Sequence, residues 1–378
     1  MQKTNAASSF VGNRDVEAIA DPSQAVQRTP GADNFLSAII GVNNKRRLKM
    51  TRRSIVTSMS VVGLALLGPG MVAAAGAANR FASVGQNGAL ISGGEVSAVT
   101  KLGPGQYEVT FNSDVSRCAY VATTVNAYSQ ALQAYTAGGH LGVNGVYVET
   151  KNQGGGLTDG PFNLVVVCES ADTKFAVIGY GSELVRASDG TKLSDLGDGR
   201  FYVSFSQPVS ACAFLATVGD PGSALVYNPS GVYTGSIKTV RGVIGNTAAN
   251  TVYVETKNPG GGLQPGVPFH LAVICPTTPN AHVAVVNSTG LIQRGSALTS
   301  SFSAATGHFT VAASVNINPD CATVATRGSV DAGVPYSPAT VELAPGPAAN
   351  TIGIDVRGLL FFGGKLANES FHAATVCR

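Results

Sequence analysis

Apolar and polar residues alternate with a period of two along short segments of the chain. In 107–111 two aromatic residues and a valine alternate with Glu108 and Thr110, and the segment 269–275 shows the same alternation around His270. Segments of this length, bounded by Gly and Asn/Asp turns, are typical of half-buried antiparallel strands. The segment 127–137 differs, because its pattern predicts a short helix that decorates a loop.

The strand pattern recurs in three consecutive copies: copy one (81–173), copy two (174–280) and copy three (281–378). In each copy an apolar strand and a turn precede a Cys-Ala pair and a threonine, in the segments 107–123, 201–217 and 308–326. The second halves of copies one and two also align, and copy three diverges there. Each copy closes on a strand that runs from Phe to Cys, at 162–168, 269–275 and 371–377.

The repeat predicts an all-β protein of three tandem modules that follow an N-terminal signal segment. We expect each module to be a small β-sandwich or barrel of about six to eight strands with one disulfide. Only 12% of the residues are charged and Gly is abundant, which suits strands joined by turns. Short linkers such as 276–279 leave the modules adjacent, as a short rod.

The repeated residues also resemble a known group of proteins. An aromatic-x-Val-x-Phe strand is followed by Val-x-x-Cys-Ala-aromatic-x-Ala-Thr and later by Pro-Phe-His-Leu-x-Val-x-Cys. In this combination the chain resembles tandem modules of secreted bacterial proteins, many of them actinobacterial. The resemblance covers residues 81–378, most clearly copies one and two. It implies secretion and a β fold, and it carries over no catalytic residue.

The segment before the repeats has the order of a signal peptide. Basic residues at 45–47 and 52–53 precede an uncharged apolar run at 55–67 and small residues at 73–77. This order predicts a signal peptide over 50–78 that is cleaved after Ala75 or Ala77. Its basic start also resembles a twin-arginine export signal. The protein is therefore expected to be exported, to the cell surface or beyond.

Two alternatives for this segment remain open. An uncleaved segment would anchor the protein in the membrane, although Gly68-Pro69-Gly70 would interrupt the spanning helix. Residues 1–49 are either a polar leader or an annotation artefact that precedes a true start at Met50.

The charge of the chain is unevenly distributed. Residues 1–78 contain 9 of the 25 Lys/Arg and 4 of the 22 Asp/Glu, so the rest of the chain has a net charge near −2. A surface of this charge does not neutralise a phosphate backbone, and we expect no nucleic-acid partner.

The six cysteines come in pairs, one pair in each copy. Metal sites favour cysteines two to four residues apart, and this spacing does not occur, whereas an exported chain meets oxidising conditions. The sequence therefore predicts one disulfide within each copy: Cys118–Cys168, Cys212–Cys275 and Cys321–Cys377.

Other motifs favour structural interpretations. The glycine runs at 154–156 and 260–262 lack the following helix and Lys-Ser/Thr of a phosphate loop, and they predict turns. The segment 195–199 resembles a calcium loop but is better explained as a hairpin turn. His270, His372 and Asn163 occupy equivalent positions, where an outward-facing polar residue is expected. We expect no metal and no cofactor.

The best candidate for a binding surface is an acid and a base two residues apart on one strand of each copy. We call this set, with its neighbouring tyrosines, the acid–base strip: Tyr147, Glu149, Lys151, Tyr253, Glu255, Lys257, Asp355 and Arg357. Positions i and i+2 share a strand face. One interpretation is a solvated row of ion pairs, and the other is a polar and aromatic surface for an extended ligand.

The sequence favours an exported, non-catalytic protein with a structural, adhesive or binding role. Linked copies of one module raise the avidity of weak binding, and no nucleophile or metal motif stands out. The expected partner is a cell-wall or extracellular polymer. A glycan- or cell-wall-binding protein is the first alternative, although the chain has no Trp. A secreted hydrolase with one active module is the second.

Overall fold

The described part of the chain consists of β-strands joined by turns. The computed structural model describes residues 79–125, 132–222, 236–241, 248–258, 261–317, 320–330, 339–358 and 366–378, the segment 236–241 by its backbone alone. All of these residues belong to one compact unit, Gly70–Arg378. The predicted leader (1–49) and signal peptide (50–78) lie outside the described residues. The all-β prediction is confirmed.

Within the described residues each copy supplies eight strands. Those of copy one are β1 (Arg80–Val84), β2 (Leu90–Gly94), β3 (Val96–Gly103), β4 (Gln106–Phe111), β5 (Ala119–Thr124), β6 (Gln133–Gly138), β7 (Gly145–Lys151) and β8 (Phe162–Val167). Those of copy two are β9 (Thr173–Ile178), β10 (Leu184–Ala187), β11 (Lys192–Asp195), β12 (Arg200–Ser204), β13 (Ala213–Asp220), β14 (Ser236–Arg241), β15 (Thr251–Lys257) and β16 (Phe269–Ile274). Those of copy three are β17 (Ala281–Val286), β18 (Ile292–Gly295), β19 (Thr299–Ser303), β20 (His308–Ala312), β21 (Cys321–Ser329), β22 (Ala339–Pro345), β23 (Thr351–Gly358) and β24 (Phe371–Cys377).

The strands of each copy form two blocks of four, with the same order in all copies. The inner block of copy one is β2-β1-β8-β5 and its outer block is β3-β4-β7-β6. The inner blocks of copies two and three are β10-β9-β16-β13 and β18-β17-β24-β21, and their outer blocks are β11-β12-β15-β14 and β19-β20-β23-β22. Neighbouring strands within each block are antiparallel.

The inner and outer blocks of a copy share an apolar core. In copy one, Val109 and Val148 of the outer block belong to the same buried cluster as Tyr120 and Leu164 of the inner block. Equivalent strands of copies two and three form corresponding clusters. The residues that alternate along each strand in the sequence supply these cores, as a period of two requires.

Neighbouring copies are joined by parallel pairing between an inner block and an outer block. Three pairs at equivalent positions make these junctions: Gly219↔Thr136, Gly328↔Thr239 and Val125↔Leu343. The first joins copies one and two, the second copies two and three, and the third copies one and three. The backbones approach closely, since a Cβ on Gly219 would lie 2.2 Å from the carbonyl oxygen of Thr136. The expected rod is therefore wrong, because the junctions close the chain into a ring with pseudo-threefold symmetry.

The inner blocks also pack against one another at the centre of the ring. This central cluster comprises Phe81, Ala119, Val121, Val165, Val167, Phe175, Val177, Ala213, Leu215, Ala272, Ile274, Ala281, Val283, Val285, Ala322, Val324, Ala374 and Val376. Inner-block strands such as β8 and β16 consequently bury every residue. The expectation that the closing strands are half-buried is wrong, because their second face meets the other copies instead of water.

The strands also test the helix predicted for 127–137. The part of 127–137 that the structure describes contains the strand Gln133–Gly138, so the helix prediction is wrong there, and 127–131 lie outside the described residues.

The three predicted disulfides, Cys118–Cys168, Cys212–Cys275 and Cys321–Cys377, are confirmed. Each closes the end of an inner block, where two neighbouring strands meet. Three disulfides are consistent with an oxidising environment.

Candidate functional site

The acid–base strip lies on β7, β15 and β23 of the outer blocks. Its side chains are buried apart from the part-buried Arg357, and Glu149 has 0% of its surface exposed. The interpretation as a solvated row of ion pairs is therefore wrong. Because β7 and β15 bury every residue, these two strands are covered on both faces.

In copy one, polar contacts connect all three members of the strip. The Lys151 ammonium lies 2.7 Å from the Glu149 carboxylate, and the Tyr147 hydroxyl donates to the same carboxylate at 2.9 Å. Gln106 in turn donates to the Tyr147 hydroxyl at 2.7 Å. Burial, and then the charge of Glu149, raise the pKa of Tyr147, which keeps its hydroxyl a donor.

Copy two covers this part of the strip. Val218 and Val267 of copy two belong to one buried cluster with Tyr135 and Tyr147 of copy one. The Tyr135 hydroxyl lies 3.4 Å from that of Tyr180, which donates to Asp220 at 2.8 Å. Polar contacts between side chains therefore cross the junction between the two copies.

Copy two repeats the arrangement on β15. The Lys257 ammonium lies 3.2 Å from the Glu255 carboxylate, to which the Tyr253 hydroxyl donates at 2.7 Å. Arg327 of copy three lies close enough for the Glu255 charge to act on its pKa, which burial lowers. Here too the strip is part of a junction between copies.

Copy three replaces the tyrosine with Gly353 and uses an arginine as its base. The Arg357 guanidinium donates to Asp355 at 2.9 Å and to Glu342 at 2.8 Å. The second oxygen of Glu342 accepts the backbone N–H of Leu132 from copy one at 2.5 Å. His308 pairs with Asp355 from the exposed side. One guanidinium thus holds two buried carboxylates, and one of them links copy three to copy one.

The strip is thus placed at all three junctions, with its acids neutralised by bases on the same strand. Burying a pair of charges costs desolvation, so a buried pair adds little net stability, whereas removing one partner is strongly destabilising. The arrangement suits a contact that positions one copy against another. Its use as a ligand-binding surface stays a prediction.

The histidines on the closing strands are also at the junctions. His270 Nδ1 accepts the N–H of Tyr120 at 3.2 Å, and its Nε2 donates to the carbonyl of Asp220 at 2.9 Å. His372 bonds in the same way, at 2.9 Å from the N–H of Phe214 and 3.1 Å from a carbonyl oxygen. Burial, aided by a nearby arginine, lowers both pKa values to about 3.

The expected outward orientation of these residues is therefore wrong. Both histidines are 0% exposed, and Asn163, their equivalent in copy one, is also buried. The Asn163 amide donates to the carbonyl of Thr323 in copy three at 2.9 Å. All three side chains bond backbone groups of another copy, because the second face of each closing strand lies against the ring centre.

Sequence reasoning missed a set of threonines that join the copies: Thr123, Thr217 and Thr326, which we call the threonine ring. The Thr217 hydroxyl donates to the carbonyl of Ala122 and accepts its N–H, at 3.1 and 2.9 Å. Thr326 bonds Ala216 in this way, and Thr123 bonds Ala325. The available signal was the Ala-Thr pair that recurs at the same place in each copy.

Copy one has an additional buried pair. Glu108 is 0% exposed, and its carboxylate lies 3.2 Å from His140 Nδ1. Burial raises the pKa of Glu108. The His140 ring packs on Tyr147, with 4.8 Å between the ring centroids. Copies two and three have Tyr202 and Thr310 at the position of Glu108, so this pair occurs in a single copy.

The turns behave as predicted from the sequence. Asn152 Oδ1 accepts the N–H groups of Gly154 and Gly156, which closes the first glycine run into a turn. In the second run the Asn258 side chain accepts the N–H of Gly262, and residues 259–260 lie outside the described residues. The segment 195–199 connects β11 to β12 as a hairpin turn.

No group of three or more His, Cys, Asp or Glu side chains in the described residues is arranged to hold a metal ion. No helix in the described ranges is long and apolar enough to cross a membrane.

Comparison with known proteins identifies no relative of this chain. No protein-family model matches the chain, and neither a curated protein nor a solved structure matches it.

Proposed function

We propose that the chain is an exported, non-catalytic protein with a structural, adhesive or binding role. In this proposal three tandem β-modules follow a cleaved signal peptide, and the modules act together as one rigid body. The observation that carries the proposal is the repeated bonding across the junctions. Each threonine of the ring bonds two backbone groups of another copy, so the chemistry that recurs in every copy is used for assembly.

The disulfides support the exported location. Disulfides persist in oxidising compartments and are rare in the cytosol, and all six cysteines of this chain are paired. Three disulfides and an apolar core shared by all copies suit a scaffold in such a compartment.

The function is tested by attachment assays on the purified protein. We expect it to sediment with cell-wall or matrix material and to show no turnover in a screen of glycan, peptide and ester substrates. Tyr147→Phe and Tyr253→Phe remove the hydroxyls that bond Glu149 and Glu255 with little change in volume. Because both tyrosines are 2% exposed, we expect these variants to keep attachment, as does the matched control Tyr107→Phe, whose hydroxyl bonds Gln86 away from the strip. Loss of attachment in the strip variants alone, at unchanged Tm, would show that the strip contacts a ligand.

The glycan-binding alternative has less support. Sugar rings stack on exposed aromatic side chains, and within the described ranges every Tyr and Phe is buried or part-buried. A direct test is an array of cell-wall glycans. Saturable binding to one class of glycan would favour this alternative over a structural role.

The hydrolase alternative rests on Glu108 and His140. This pair occurs in copy one alone, and a carboxyl group whose pKa is raised by burial is a candidate general acid. Turnover in the substrate screen that disappears in Glu108→Gln and in His140→Ala would establish an enzyme and refute the non-catalytic proposal.

A further inference from the structure

A small cavity lies on the pseudo-threefold axis beside the threonine ring. We call it the axial cavity. Its volume is about 60 Å³, and its polar walls include Thr123, Thr217, Thr326, Gln133, Arg327 and Thr340. The cavity exists only because the ring closes, since all three copies contribute to its walls.

Three buried side-chain donors of residues that line the axial cavity have no acceptor among the described residues. Arg327 is 2% exposed, and its Nε bonds Glu369, but Nη1 and Nη2 have no hydrogen-bond partner among the described residues. The Nε2 of Gln133 has none either. Among the described lining residues, no buried side-chain oxygen is in this condition. Buried donors without a partner are rare and indicate that a hydrogen-bond acceptor is missing.

Packing does not require an arginine at position 327. The residues that follow the ring threonines are Thr124, Val218 and Arg327, and Val218 fills the equivalent place in a well-packed junction. A buried guanidinium is costly unless it is paired. Among the described residues, Glu369 pairs with the guanidinium through Nε, and the charge of Glu255 also acts on Arg327, with Lys257 3.2 Å from Glu255. Arg327 lines the cavity, and its Nη1 and Nη2 donors therefore have no acceptor among the described residues.

We propose that the axial cavity binds a small oxyanion, with Arg327 as its principal ligand and Gln133 as the second. The class includes inorganic phosphate, sulfate and a free carboxylate. A guanidinium presents paired N–H donors that match two oxygens of such an anion. One water molecule needs about 10–15 Å³ of cavity volume, so the axial cavity has room for a few water molecules or one small oxyanion. This site goes beyond the proposed scaffold function and does not depend on it.

The first experiment measures thermal unfolding of the purified protein with phosphate, sulfate or formate, at constant ionic strength. For the wild type we expect a saturable rise in Tm of about 3 °C at ten times the dissociation constant. Arg327→Val, which copies the residue of copy two, should lose this rise, and the exposed-charge control Arg378→Ala should keep it. An equal rise in the wild type and Arg327→Val would show a general salt effect and overturn the proposal. The anion that gives the rise at the lowest concentration identifies the class.

The second experiment does not depend on a variant that folds. Crystals of the wild-type protein grown without oxyanions are soaked in selenate, and an anomalous difference map is calculated. We expect a selenium peak in the axial cavity within hydrogen-bond distance of Arg327. A cavity that contains only water in the presence of selenate would overturn the proposal.

Discussion

The stability of the ring should depend steeply on pH through His270 and His372. Each histidine is fully buried, accepts a backbone N–H through Nδ1 and has a pKa lowered from 6.5 to about 3. In the unfolded chain both regain ordinary pKa values. A group whose pKa is lowered by folding stabilises the protein above its unfolded pKa, and this contribution is lost as pH falls from about 6.5 towards 3.

The size of the effect follows from the two pKa values. Each pH unit between them corresponds to about 1.4 kcal/mol for each histidine. At pH 5, about 1.5 units below the unfolded pKa, the loss is about 2 kcal/mol for each histidine and about 4 kcal/mol for both. Domains are stable by only about 5–15 kcal/mol, so this loss is a large fraction of the total.

The assay is urea unfolding at a series of pH values between 7.5 and 4.5, followed by circular dichroism. The comparison protein carries His270→Asn and His372→Asn, because asparagine occupies the equivalent position in copy one. We expect the free energy of unfolding of the wild type to fall by about 4 kcal/mol more than that of the double variant between pH 7.5 and 5. Equal pH dependence of the two proteins would refute the assignment of these histidines as buried and neutral.

Three further changes test the junctions and the disulfides. Thr217→Val leaves one N–H and one carbonyl of copy one without a partner, and we expect urea titration to show a loss of about 2–4 kcal/mol, against little change for the exposed Thr100→Val. Lys151→Met leaves a buried carboxylate unpaired, and we expect it to cost about 3–5 kcal/mol by the same measurement. Removing one bridge with Cys212→Ser and Cys275→Ser should cost about 4 kcal/mol in the chain-entropy description, and non-reducing peptide maps should show the other two bridges unchanged.

The strands and the disulfides could be predicted from the sequence because they are local or repeated features. Alternation in 107–111 indicates which face of β4 packs in the apolar core of its own copy, whatever lies against the other face. The cysteine pairs recur once in each copy, and an exported chain favours bonded cysteines. Both features are independent of how the copies are arranged.

The closure of the ring was not predicted, because it depends on contacts between distant segments. The junctions use backbone pairing at Gly219 and Val125, and backbone groups carry no sequence signal. Two signals did exist. The Ala-Thr pair recurs with its threonine at Thr123 and at the equivalent positions, and the run 164–167 is apolar at every residue, as expected of strands that are buried on both faces.

The polar residues of the strip and the histidines were misplaced for one common reason. The alternation predicts that a polar side chain on such a strand faces water, and that prediction holds only if the second face of the sheet is solvated. In this fold the second faces of β7 and β16 meet another copy, so Glu149 and His270 bond inside the junctions. The polar residues indicate correctly which face of the strand lies away from the core of its own copy. What lies against that face depends on the tertiary structure, which the local pattern does not contain.

The central cluster has a consequence for how the protein unfolds. In a linear array of repeats each unit contacts only its neighbours, and parts of the array melt separately. Here Val121, Leu215 and Val324 of the three copies share one apolar centre, so the loss of one copy would expose that centre in the other two. We therefore expect a single cooperative transition in calorimetry, with a calorimetric enthalpy equal to the van't Hoff enthalpy. The three copies are repeats in sequence, yet in thermodynamic terms they form one indivisible unit.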